Sequence, residues 1–205
     1  MNRVVTKFYE YGQKEIDYLK KKDEILGKAI DRLGKVEREI IPDLFSALVY
    51  AIVGQLVSVK AVHTIWDRMQ LRLGNITPEN IAKHSPDDIQ HCGMTMKKAV
   101  CIHSLAQTIA VGEWDIEALR DLSDDEVIHQ LTNIDGIGRW TAEMLLINSM
   151  ERRDIISWGD IAIRRGMIKL YNLTDISKAE FEQYQHRYSP FGSVASIYLW
   201  AISFE

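Results

Sequence analysis

The segment Leu131–Leu146, LTNIDGIGRWTAEMLL, decides the fold. It sets Gly136-Ile137-Gly138 between two runs of helical periodicity, at about 123–131 and 139–150, with Trp140 directly behind. Glycine admits backbone angles that other residues avoid and lets a second chain come close. Two glycines between helices therefore make a tight corner whose amide N–H groups can point outward together. The second helix begins at about Arg139, so its unpaired N–H groups and positive dipole end fall at the same place. Such a corner suits an anion, phosphate above all, with Arg139 and Thr141 as added side-chain donors. Contacts of this kind position a protein on a nucleic acid without reading its bases. A plain helix corner closed by a glycine cap would carry the same letters, so the surrounding chain has to separate the two readings.

Outward from the corner, almost every segment keeps a helical period. The pattern predicts helices near 12–22, 24–34, 43–53, 58–73, 78–83, 86–92, 95–111, 115–120, 160–171, 178–186 and 192–203 in addition to the two at the corner. Asp43 after Pro42, Thr77 before Pro78, Ser85 before Pro86 and the capping-box spacing Ser123 to Glu126 mark helix starts. Hairpin turns of the Asn-Gly type are lacking, and so are repeats and long linkers. The predicted fold class is all-α. The helix DLFSALVYAIV, 43–53, is apolar on almost every side and must be wrapped by others. It breaks at Gly54-Gln55-Leu56-Val57-Ser58.

The chain of 205 residues is 46% hydrophobic and 26% charged, ordinary values for a globular protein with a sizeable core. No apolar run is long enough to span a bilayer or to serve as a signal peptide, which predicts a cytoplasmic protein with no membrane partner. Two cysteines cannot ligate a four-cysteine iron–sulfur cluster, and six scattered histidines lack a zinc spacing. Cys92 and Cys101 read as reduced structural thiols. A net charge of −4 and a pI of about 5.9 do not favour nonspecific DNA binding. Local basic runs matter more than the sum: Arg139, Arg152, Arg153, Arg164, Arg165 and Lys169 in one stretch, Lys97 and Lys98 in another, each also readable as a solvated helix face.

The corner followed by IISWGDIAIRRG resembles the helix-hairpin-helix DNA glycosylase superfamily, and within it the 3-methyladenine DNA glycosylase II, or alkylpurine, branch. FSALVYAIVGQLVSVKAV, CGMTMKKAVCIHSLAQ and YSPFGSVASIYLW follow the family order, so the resemblance spans roughly residues 44–201. It implies two helical lobes: a central one at 44–152 carrying the hairpin, and one built from both chain ends, 1–43 and 153–205. The cleft between them would bind damaged double-stranded DNA, with the protein acting as a monomer near the nucleoid. Larger relatives add an N-terminal β domain, for which this chain has no room.

Asp160, 22 positions after Gly138, stands where the family places its catalytic aspartate. It also precedes the segment IAIRRGMIKLY and reads as its N-cap. The two readings are compatible, because N–H bonds and a positive helix end both favour a charged carboxylate. A fixed negative charge lowers the barrier when departure of a base leaves an oxocarbenium-like sugar. An alkylated purine already carries positive charge and leaves without strong general-acid help. Lyase-type relatives carry a nucleophilic lysine two residues past the second hairpin glycine. Trp140 occupies that position here, which predicts a monofunctional glycosylase.

The target base must leave the stack to be cut. The resemblance places Trp140 and Trp200 in the receiving pocket, with Met144, Ile161 and Tyr198 in its wall and Tyr188 as a further contributor. Core packing is the other reading of Trp200. Leu56 matches the apolar wedge that fills the gap left by the flipped nucleotide, with core burial as its alternative, and Gln55 would meet the orphaned base. The family hairpin binds a monovalent cation through carbonyls, here those of Thr132, Ile134 and Gly136; no other cofactor is implied. Four positions depart from the family pattern. Asp135 replaces a proline and Gly192 an arginine, while Ile161 and Met144 stand in place of aromatics. Two alternatives stay open: a glycosylase for an oxidised or deaminated base, and a DNA-binding module without catalysis.

Overall fold

A computed structural model describes residues 4–205. Among them are twelve α-helices: α1 (Gln13–Lys22), α2 (Glu24–Leu33), α3 (Leu44–Gly54), α4 (Val59–Leu73), α5 (Pro78–Ile81), α6 (Pro86–Gln90), α7 (Met96–Ala110), α8 (Asp124–Thr132), α9 (Arg139–Asn148), α10 (Ile161–Leu170), α11 (Lys178–Tyr188) and α12 (Gly192–Ser203). The sheet content is one ribbon of two-residue strands, Lys7–Phe8 and Glu39–Ile40. The fold is all-α, as the periodicity predicts. The helix expected at 115–120 is instead a 3-10 turn, Glu117–Asp121. Its i→i+3 bonds, Leu119 N–H to the Ile116 carbonyl at 3.2 Å among them, suit a segment too short to propagate an α-helix. The predicted starts hold. Asp43 caps the Ser46 N–H at 2.7 Å, and Ser85 and Ser123 form reciprocal capping boxes with Asp88 and Glu126.

The chain divides into two compact units. The first joins the described residues up to Lys7 with Ile40–Met150; the second joins Phe8–Glu39 with Glu151–Glu205. The divisions thus fall a few residues before the expected 43/44 and 152/153. Val4 to Lys7 goes with the first unit rather than the second, its Val4 N–H donating to Gln70 Oε1 at 3.1 Å.

In the first unit α3 is central. Nine of its eleven residues are buried, and α4, α7 and α9 pack around it. α5 and α6 close over α7, and α8 lies against α9. In the second unit α12 is central, buried along nearly its whole length, and its main partner is α10. The two cross at Gly166, where a Cβ would lie 2.1 Å from the Leu199 carbonyl oxygen, so only glycine permits this approach. α1 packs on α2 and α11. Between α2 and α11 the buried Asp23 caps the Leu26 N–H at 2.9 Å and accepts from Tyr171 Oη and Arg187 Nη1, both at 2.7 Å.

Candidate functional site

The corner forms as a helix–turn–helix hairpin between α8 and α9. Ile134 N–H bonds to the Leu131 carbonyl at 3.1 Å and Ile137 N–H to the Ile134 carbonyl at 3.0 Å, which closes the turn. Gly136 has φ +90°, and a Cβ there would meet Cys101 Sγ at 3.1 Å. Two independent constraints, backbone angle and contact with α7, therefore require glycine. Burial of Cys101 pushes its thiol up to about 11, with Asp135 adding to the rise, so this sulfur serves as packing against the turn and not as a nucleophile. Gly138 caps α9 with no side-chain bond to the first turn, which holds no acid, and a Cβ there would meet nothing within 4 Å. The amide end of α9 is thus undecorated.

Two predicted side-chain donors are used inside the protein. Thr141 is buried, and its hydroxyl accepts from Gln55 Nε2 at 2.9 Å, which removes it as a phosphate contact. Gln55 Nε2 also donates to the Gly136 carbonyl at 2.9 Å. Both amide hydrogens of Gln55 are thereby spent on the hairpin rather than left for an orphaned base. Arg139 remains exposed at the start of α9, its Nε paired with Glu143 Oε1 at 2.8 Å.

Just past Gln55 the chain does something rare. Leu56 takes φ +57° and is 100% exposed. A left-handed angle costs a branched apolar residue about 1–2 kcal/mol, and full exposure forgoes any burial gain. Core packing is ruled out for this residue. Backbone strain at a solvent-facing apolar residue is the kind of feature that function retains. Trp140 is half-buried, its ring close to Gly54: a Cβ on that glycine would lie 3.8 Å from Trp140 Cη2. The first unit therefore brings Gln55, Leu56, Gly136, Thr141 and Trp140 into one neighbourhood.

Sequence reading missed the residue that ties this neighbourhood to α7. Lys98 Nζ donates to the Val53 carbonyl at 2.9 Å and to the Gln55 carbonyl at 2.6 Å. It is not a solvated face residue; burial lowers the pKa of its ammonium group. A signal existed. Lys98 shares its helical stripe with Ile102 and Leu105, both buried.

In the second unit Asp160 is the N-cap of α10, and its Oδ1 accepts the Ile163 N–H at 2.9 Å. It is 7% exposed, nearly but not wholly closed from solvent. The cap fixes the side-chain rotamer and holds the carboxylate at the positive end of the helix. Ile161, the next residue, is 60% exposed. Behind Asp160, Arg164 stacks over the Trp158 ring, 4.7 Å from its centre.

The predicted pocket wall is partly corrected. Tyr198 is sealed, 0% exposed, with its hydroxyl bonded to the Gly34 carbonyl at 3.1 Å and to Tyr11. Tyr188 is likewise closed into the second unit against Tyr171. Both rings are core: Tyr198 because α12 is covered on its outer stripe as well as its inner one, and Tyr188 because the end of α11 is closed over it. Trp200 is 7% exposed, and one face of its indole lies under the Arg38 guanidinium, 4.2 Å from the ring centre. Met144 is buried on α9. Gly192, the departure from the family arginine, has a local cause. Its N–H donates to Asp154 Oδ1 at 3.0 Å, and a Cβ would come within 2.8 Å of both Asp154 and Ile156.

This hairpin with its trailing capped aspartate has a counterpart among known proteins. Residues 49–190 match the description "HhH-GPD superfamily base excision DNA repair protein". The chain belongs to the HhH-GPD superfamily. It is 34% identical over 164 residues to DNA-3-methyladenine glycosylase 1 of Schizosaccharomyces pombe, covering 78% of this chain and 72% of that one. It is 32% identical to the DNA-3-methyladenine glycosylase of Saccharomyces cerevisiae, of which it spans about half, 52%. The structure of the S. pombe 3-methyladenine DNA glycosylase in complex with abasic DNA superposes with a TM-score of 0.84 at 30% identity, over 92% of this chain and 95% of that one. The matched span holds Leu56, the hairpin and Asp160 together, so the HhH-GPD assignment rests on the region just described.

Among the described residues no three His, Cys, Asp or Glu side chains gather as a metal site. The family's monovalent cation would use neutral oxygens instead. Of the three carbonyls, that of Ile134 already accepts the Ile137 N–H and that of Gly136 the Gln55 amide. A carbonyl has two lone pairs, so each keeps one for a cation.

Proposed function

We propose that this protein is a monofunctional DNA glycosylase that excises alkylated purines of the 3-methyladenine type as the first step of base excision repair. The observation that carries the reading is Asp160: a carboxylate fixed by the Ile163 N–H at 2.9 Å, inside the matched span 49–190 and where the sequence resemblance implies the catalytic aspartate. Its relatives' names supply the lesion class.

In this reading the amide end of α9 and Arg139 hold a backbone phosphate, since unpaired helix N–H groups and a guanidinium both bind anions. Leu56 enters the stack where the damaged nucleotide has left it. Trp140, half-buried beside the hairpin, receives the extruded cationic base, a cation–π contact worth up to about 2 kcal/mol when desolvated. The C1′–N bond then breaks. The bonding electrons go to the base, which departs neutral, and the positive charge passes to the sugar. The Asp160 carboxylate stabilises that charge and orients the water that adds to C1′, whose proton is lost to the carboxylate or to solvent. One such fixed charge is worth about 3–4 kcal/mol. A Na+ or K+ ion at the hairpin, held by Thr132, Ile134 and Gly136, would add positive charge beside the phosphate and take no part in bond breaking.

The test is release of 3-methyladenine and 7-methylguanine from methylated DNA by the wild type and by Asp160→Asn. Release by the wild type alone supports the reading. Equal release by both removes Asp160 from the mechanism, and release by neither points to another lesion or to a binding module. Borohydride trapping on abasic-site DNA checks the monofunctional assignment: a covalent adduct would refute it.

A further inference from the structure

We infer that Lys98 is a positioning residue for Leu56: it clamps the end of α3 and, through Gln55, locks the exposed leucine to the hairpin. This rests on the reading of Leu56 as the wedge. A side chain that is wholly exposed has no packing to hold it, so its backbone neighbours must. On the C-terminal side little does. The Val57 N–H reaches the Gly54 carbonyl only at 3.5 Å. On the N-terminal side the bonds are short and continuous. The Lys98 ammonium donates to the Val53 and Gln55 carbonyls at 2.9 and 2.6 Å. From the same Gln55 residue the side chain runs on to the Gly136 carbonyl and to Thr141, each at 2.9 Å. One cation thus links α7, the last turn of α3, the strained leucine and the turn at the tip of the hairpin.

Two features separate this arrangement from an ordinary helix cap. A capping lysine commonly reaches the last carbonyls from its own helix and stays in water. Lys98 comes from another helix, on a stripe shared with the buried Ile102 and Leu105. Its second acceptor, the Gln55 carbonyl, belongs to the peptide unit immediately before Leu56. Donation there fixes the orientation of that peptide plane, and with it the direction in which the leucine leaves the surface.

A wedge matters when a paired base must be kept out of its stack, and matters less when the lesion is already unpaired. The experiment is single-turnover release of 7-methylguanine from one duplex in two forms, the lesion facing cytosine or facing an abasic-site analogue. Leu56→Ala and Lys98→Met are each expected to slow excision of the paired lesion about tenfold, and of the unpaired lesion by less than about threefold. The double variant is expected to be no slower than Leu56→Ala, because residues acting through one element are not additive. Lys98→Arg, which keeps a donor for both carbonyls, should recover part of the paired-lesion rate, and it stands in if Lys98→Met does not fold. Normal excision by Lys98→Met, with loss in Leu56→Ala, would overturn the clamp and leave the wedge standing. Equal slowing of both duplex forms by Lys98→Met would reduce Lys98 to a structural cap. Normal excision of the paired lesion by Leu56→Ala would remove the wedge and this inference with it.

Discussion

Two helices, α3 in the first unit and α12 in the second, are wrapped on almost every side, yet they end differently. α3 runs out into a fully exposed leucine at a left-handed backbone angle. α12 stays covered nearly to its last residue and lies against the helix that Asp160 caps. The first unit uses its packing to hold backbone features outward: the undecorated end of α9, the Gly136 turn and Leu56. The second uses its packing to hold polar groups inward: Asp160, Asp23 and the serines Ser193 and Ser196 on α12. A protein that must both distort a large polyanion and stabilise a charge on it needs both kinds of construction. Protruding elements tolerate exposure and strain, whereas a charge-stabilising group needs a fixed, poorly hydrated setting.

The sharpest way to break this contrast is at Asp160. Asp160→Asn keeps an oxygen to accept the Ile163 N–H but removes the charge. Excision is expected to fall by about two to three orders of magnitude in single-turnover assays, with little change in melting temperature. A melting temperature that falls with activity would make Asp160 a structural cap first.

Packing within the second unit comes next. Gly166→Ala places a Cβ 2.1 Å from the Leu199 carbonyl oxygen, a backbone atom that cannot swing aside. A loss of about 3 kcal/mol in denaturant unfolding is expected. Gly138→Ala in the first unit meets nothing within 4 Å, so only the poorer N-cap preference of alanine acts, and the loss should stay at or below about 1 kcal/mol. Equal effects at the two glycines would dissolve the distinction between an enclosing and a presenting unit.

Asp23 tests enclosure by pH. Burial alone would raise its pKa; the Leu26 N–H, Tyr171 and Arg187 together outweigh that and hold it below the ordinary 3.8. A depressed folded-state pKa contributes stability at pH above the unfolded value and loses it as pH falls through the folded value. The wild type should therefore lose stability progressively below about pH 4, and Asp23→Asn should show a flatter profile over that window, read by urea unfolding at each pH.

The smallest effect concerns the leucine. Leu56→Gly relieves the left-handed angle without removing any buried surface, so the folded state should gain up to about 1 kcal/mol while duplex excision falls. Opposite signs for stability and activity at one residue would mark strain kept for function. A loss of both would show Leu56 to be packing after all.

Much of this was legible in the letters. Periodicity and caps located nearly all the helices because local hydrogen bonding and the 3.6-residue repeat act within one segment. The two glycines, Trp140 where lyase-type relatives carry a lysine, and the aspartate 22 residues on pointed to the site class through their resemblance to the family pattern; taken singly, the glycines also read as a plain helix corner and the aspartate as an N-cap. What side chains do to one another across segments was not legible. Thr141 and Gln55 read as DNA contacts but bond to each other; Tyr198 read as pocket wall but is sealed; Lys98 read as a surface charge but clamps α3. The sequence by itself determined the helices, their order and the chemistry that Asp160 can support. Only the tertiary structure decided which donors were already taken and which apolar residue was left in the open, because hydrogen-bond partners and burial depend on neighbours tens of residues away.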